Sequence, residues 1–102
     1  RDTSAEVVPE LLRGYIEDAF QRVERIKAAI DERNAKQLEF ETHTLGSSAA
    51  AYGNPELYRL AREIEQRCRA QDIEGAFEMA LPLETLAVAS LTALTQRLDK
   101  GF

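Results

Sequence analysis

The chain has 102 residues, 44% hydrophobic and 30% charged, which allows one domain with one modest core. Its net charge of −5, with 13 basic residues interleaved among 18 acidic ones, argues against nucleic acid as a partner, and no apolar run approaches the ~20 residues needed to span a bilayer. One histidine and one cysteine leave no internal disulfide and no His/Cys metal site within the chain, and no EF-hand spacing is present.

From the N-terminus, Thr3-Ser4-Ala5-Glu6 reads as a capping box, with Thr3 or Ser4 capping and Glu6 reaching back. Pro9 fits a first turn, where its missing N–H costs little. The spacing predicts a long first helix from about Val7 to Asp31. Val8, Leu12, Tyr15, Ala19, Val23, Ile26 and Ile30 step by three and four, and Leu11, Ile16 and Phe20 widen the stripe. Glu32-Arg33-Asn34 breaks the period, and Asn34 is placed to cap a second helix running to about Tyr52. Gly53 suits the left-handed position past that helix end. Asn54 and Pro55 then read as the cap and first residue of a third helix, ending near Ala70. Asp72 can cap a last segment, about Ile73 to Lys100, in which Pro82 forces a kink or short break around Met79–Pro82. Leu83, Leu86, Ala87, Leu91, Leu94 and Leu98 resume the period beyond it. Residues 1–102 therefore read as one all-α domain: an antiparallel up-down four-helix bundle with a short N-terminal extension and a kink near Pro82. Cys68 shares the apolar face of the third helix with Leu57, Leu60, Ala61 and Ile64, so a buried structural thiol is expected, in a reducing compartment.

The second helix carries the only histidine. Ala35, Leu38, Leu45, Ala49 and Tyr52 mark its buried face, with Thr42 filling the remaining place. At about 100° per residue, His43 falls roughly 130° from the centre of that stripe, on the solvent side. Its neighbours one turn away are Lys36, Glu39, Gly46, Ser47 and Ala50. That surface is nearly bald where Glu, Lys or Gln would be usual. Gly46 inside a helix costs about 1 kcal/mol relative to Ala, which a close approach by another backbone would offset. Phe40 also points outward and places an apolar contact beside the imidazole.

The stretch Thr42-His43-Thr44-Leu45-Gly46-Ser47-Ser48-Ala49, followed by Gly53, resembles the histidine-containing phosphotransfer (Hpt) domain of bacterial two-component relays. The family pattern is His-x-Leu-Lys-Gly-Ser/Ala-Ser/Ala, then Gly ten positions after the His, then Leu-x-x-Leu-x-x-x-Ile/Leu-Glu/Gln. His43, Leu45, Ser48, Ala49, Gly53, Leu57, Leu60, Ile64 and Glu65 keep that register without gaps. Two positions depart from it: Gly46 stands where the family has Lys, and Ser47 where it has Gly.

The resemblance implies a relay without kinase chemistry. His43 takes a phosphoryl group from a receiver-domain aspartate and passes it to another receiver. A neutral imidazole, which ordinarily titrates near about 6.5, is a competent nucleophile for this. The receiver supplies Mg²⁺ and a lysine, and this chain needs no cofactor or metal. Glu65, at the family's Glu/Gln position, is placed to bond the second ring nitrogen or a water. Lys36, or Arg59 or Arg62 from the third helix, would replace the missing family lysine. Phe40, Gly46, Ser47 and Ala50 would form the docking surface for receivers of response regulators or of the same hybrid kinase. The domain is expected to be a monomer without membrane contact of its own. Arg1 in place of an initiator Met suggests a piece of a longer chain, here the cytoplasmic part of an inner-membrane hybrid sensor histidine kinase. Two other readings stay open: a degenerate Hpt-like docking module that binds receivers without transfer, motivated by Gly46, and a purely structural helical bundle.

Overall fold

Apolar residues at helical spacing and strong local stop signals produce five helices in the computed structural model, which describes residues 4–100, with side chains from Pro9 onward. They are α1 (Ser4–Asp31), α2 (Ala35–Ala51), α3 (Pro55–Arg69), α4 (Ile73–Ala80) and α5 (Leu83–Asp99). No strand occurs among the described residues. The capping box expected at Thr3, Ser4 and Glu6 lies outside the described side chains. α1 starts at Ser4, three residues before the expected Val7, so Pro9 sits inside the helix and not in its first turn. At 1.5 Å per residue, α1 spans about 42 Å against about 26 Å for α2. The expected N-terminal extension is thus a continuation of α1 itself.

Three of the helix ends share one device. Arg33, Gly53 and Gln71 take left-handed φ values of 55°, 70° and 65°, and the next residue's N–H donates back to a carbonyl five residues earlier. Those bonds run from Asn34 to Ala29 at 2.9 Å, from Asn54 to Ala49 at 2.8 Å and from Asp72 to Arg67 at 2.9 Å. This closes each helix and turns the chain sharply into the next. Asn34 Oδ1 then accepts from Gln37 N at 3.0 Å, and Asp72 Oδ1 from Gly75 N at 3.1 Å, capping α2 and α4 as the sequence predicts. Asn54 does not. Its side chain makes no cap bond. It is buried and donates through Nδ2 to Tyr15 Oη at 3.2 Å and Ser90 Oγ at 3.1 Å. Burial explains the difference: an amide shut away from water needs partners on the elements packed around it. The asparagine therefore ties α1 and α5 to the start of α3, next to Tyr15 and Tyr52, whose rings stack 4.9 Å apart.

Pro82 acts as expected. α4 stops at Ala80, α5 starts at Leu83, and the two axes bend by 42°. α1 packs on α2 and α5, α2 on α3, and α3 on α4 and α5, so the helices close a ring around one core. Leu38, Leu45, Leu57 and Ile64 are fully buried within it, each worth about 1.5–3 kcal/mol relative to exposure. Leu11 is a correction: it is 51% exposed near the N-terminal end of α1, although Ala29, five full turns on at the same helical angle, is buried at 1%. Cys68 is buried as expected. Burial, then Glu39 and Glu65, push its thiol above the usual range, which disfavours the reactive thiolate.

Candidate functional site

α2 presents the site and α3 supports it. Thr42 is fully buried and returns its hydroxyl to the Leu38 carbonyl at 2.7 Å. Thr44, Ser47 and Ser48 likewise donate to Phe40, His43 and Leu45 carbonyls at 3.2, 3.1 and 3.1 Å. These short side chains satisfy themselves on their own helix, and none rises above the surface to screen its neighbours. His43 stands among them with 52% of its side chain exposed. Ser47, Ala50 and Lys36 are exposed, as is Phe40 at 61%.

The imidazole is held from one side. His43 Nδ1 lies 2.8 Å from Glu65 Oε2. An ionised carboxylate only accepts, so in a neutral ring facing it Nδ1 carries the proton and Nε2 keeps its lone pair. Glu65 itself is 2% exposed. The same Oε2 accepts from Arg69 Nη2 at 2.8 Å, while Oε1 is buried with no protein partner. Arg69 Nε also faces Glu39 Oε2 at 3.5 Å. Lys36, Glu39, Phe40, His43, Glu65 and Arg69 line one shallow depression of about 400 Å³. It brings together a nucleophilic nitrogen, two cations and an apolar ring on an open surface.

Most of the residues singled out in the sequence therefore lie where the helical wheel places them, and Gly46 does not. Gly46 is buried under α3. A Cβ built there would meet Ala61 Cβ at 3.5 Å and Arg62 Cδ at 3.7 Å, ordinary contact distances. The wheel locates an arc of α2 but not the flank on which the next helix lies, and α3 lies on the Gly46 flank. Gly46 is thus removed from the exposed docking surface. Arg59 and Arg62 do not line the depression, and Arg69, absent from the sequence reading, does. Its signal was the four-residue step from Glu65, a spacing that pairs acid and base on one helix face.

Over residues 10–100 the sequence matches the family described as the Hpt domain. The chain belongs to the Hpt domain family. Neither the curated proteins nor the solved structures compared with it gave a match. Hpt domains are phosphotransfer modules of two-component phosphorelays, exchange phosphoryl groups with receiver domains and are not themselves kinases. Among the described residues of this Hpt domain, no group of three or more His, Cys, Asp or Glu side chains is arranged to hold a metal ion. No single described helix is long and apolar enough to cross a membrane.

Proposed function

We propose that His43 is the phosphoryl carrier of this Hpt domain. It accepts the group from a receiver aspartate and delivers it to a second receiver. The observation that carries the reading is the geometry of the imidazole. Nδ1–H is tied to buried Glu65 at 2.8 Å, while the ring stands 52% exposed, so Nε2 is the nitrogen offered to solvent. In the transfer, the Nε2 lone pair forms the N–P bond as the bond from phosphorus to the aspartyl oxygen breaks. The aspartate leaves as carboxylate. The ring becomes a cation that keeps its Nδ1 proton against Glu65, whose charge stabilises it. Little else is asked of this chain, because phosphoryl transfer depends mainly on positioning and charge neutralisation. Mg²⁺ and the receiver's lysine come from the partner.

Phe40, Ser47 and Ala50 form the docking surface, and Lys36 faces the transferred group in place of the family lysine at Gly46. The chain acts as one domain and as a monomer, with α4 and α5 serving as the bent fourth helix of an antiparallel up-down bundle. The short links between α1, α2, α3 and α4 support that arrangement. Its setting is the cytoplasmic part of a hybrid sensor kinase in the inner membrane. The test is to incubate the domain with a phosphorylated receiver and map the modification by mass spectrometry under alkaline conditions, which preserve phosphohistidine. The phosphate should sit on the peptide carrying His43. A receiver that binds yet leaves His43 unmodified would establish the docking module instead, the reading that the uncharged Gly46 favours.

A further inference from the structure

The depression beside His43 is lined by two cations, Lys36 and Arg69, and two carboxylates, Glu39 and Glu65, so its charges balance while His43 is bare. A phosphoryl group adds roughly −1.5 to −2 and leaves the site short of positive charge. The two cations are not equally placed. Arg69 Nη2 shares Glu65 Oε2 with His43 Nδ1, which sets the guanidinium within two hydrogen bonds of the ring. Its other tether, Nε to Glu39 Oε2, is long at 3.5 Å. The side chain is 61% exposed, so neighbouring packing does not lock it. A guanidinium carries five N–H donors in a planar fork, more than these two contacts employ.

We propose that Arg69 is a swinging cation, held by Glu65 and Glu39 while His43 is bare and drawn onto the phosphoryl oxygens once His43 carries the group, with Glu39 as the competing anion that limits the move. The inference rests on His43 being the carrier and adds what governs the lifetime of the loaded state. Glu39 lies one turn before His43 on the same helix. It disfavours the phosphorylated form in two ways: its own charge repels the group, and its hold on Arg69 withdraws a cation. The domain is thereby biased toward giving the group up. Glu65 is not free to play the same part, since it is buried and bound to the ring.

The test uses the isolated domain and phosphoramidate, which phosphorylates imidazole with departure of ammonia. The ³¹P signal of phosphohistidine is then followed at neutral pH. Arg69→Gln should shorten the half-life of the phosphorylated form about five-fold, the scale of one well-placed exposed charge pair, and Arg69→Lys should restore part of it. Glu39→Gln should lengthen it. In the Arg69→Gln background, Glu39→Gln should have a distinctly smaller effect, because the tether it breaks is already gone. An unchanged half-life in Arg69→Gln overturns the proposal. An equal Glu39→Gln effect in both backgrounds also overturns it, by showing direct repulsion alone. If the wild-type signal persists in His43→Gln, the carrier assignment fails first, and that result is distinct from the other two.

Discussion

Replacing Gly46 with Ala separates two roles for one residue. If Gly46 is a docking position, a side chain there should weaken receiver engagement. In the structure it is buried beneath α3, and the added methyl would sit 3.5 Å from Ala61 Cβ and 3.7 Å from the Arg62 side chain, within ordinary contact. Ala in place of Gly inside a helix is worth about 0.8–1 kcal/mol. The buried methyl adds up to about 0.8 kcal/mol. Gly46→Ala should therefore stabilise the domain by about 1–1.5 kcal/mol, which raises Tm by roughly 5–10 °C for a domain of this size. Urea titration and calorimetry measure the gain, and single-turnover transfer from a phosphorylated receiver should stay within about two-fold of wild type. A lower Tm would mean that α2 and α3 need the bare glycine to approach. A higher Tm with lost transfer would return Gly46 to the docking surface despite its burial.

Ser47→Trp should do the reverse. Ser47 is exposed, so stability should move by less than about 0.5 kcal/mol while receiver affinity, read by calorimetry, falls sharply; retained affinity would place docking elsewhere. Glu65→Gln replaces a charged acceptor with a neutral one at His43 Nδ1, a difference of about 1 kcal/mol, so transfer should slow about five-fold without loss of helicity; an unchanged rate would remove Glu65 from the reaction. The alkaline limb of stability tests the buried core groups. The Cys68 thiol is pushed above its ordinary value of 9.0 by burial and by Glu39 and Glu65, and Tyr15 above 10.0 by burial. Both raised groups bind protons longer in the folded state than in the unfolded one. Their contribution is complete below the unfolded values and lost as pH rises through the folded ones. The urea midpoint should hold up to about pH 9 and then fall, and Cys68→Ala should move the onset toward pH 10; an onset unmoved by that change would contradict the assignment.

The helices were legible because their signals are local. Apolar steps of three and four give each one, and Asn34, Gly53-Asn54-Pro55, Asp72 and Pro82 end or restart them within a few residues. The outward angle of His43 follows from the same periodicity, as do the exposure of Phe40 and Ser47. What the sequence concealed depends on which helix lies on which flank. Gly46 is covered only because α3 crosses that side of α2. Leu11 is left exposed while Ala29, at the same angle on α1, is buried, because cover varies along the helix. Asn54 looked like a cap by position, yet it faces Tyr15 and Ser90, far away in sequence. Arg69 reaches the site through Glu65, a buried anion that helix periodicity alone presents as a surface charge.

The proposed role of His43 is to carry the phosphoryl group on Nε2 between receivers. The most direct measurement mixes the domain with a receiver bearing labelled aspartyl phosphate and Mg²⁺, follows label onto the domain, then adds a second, unlabelled receiver. Label should appear on the domain in acid-labile form, leave it when the second receiver is added, and be absent from His43→Gln. Label that reaches the second receiver equally well through His43→Gln, or a receiver that binds the domain and never labels it, would rule out that role.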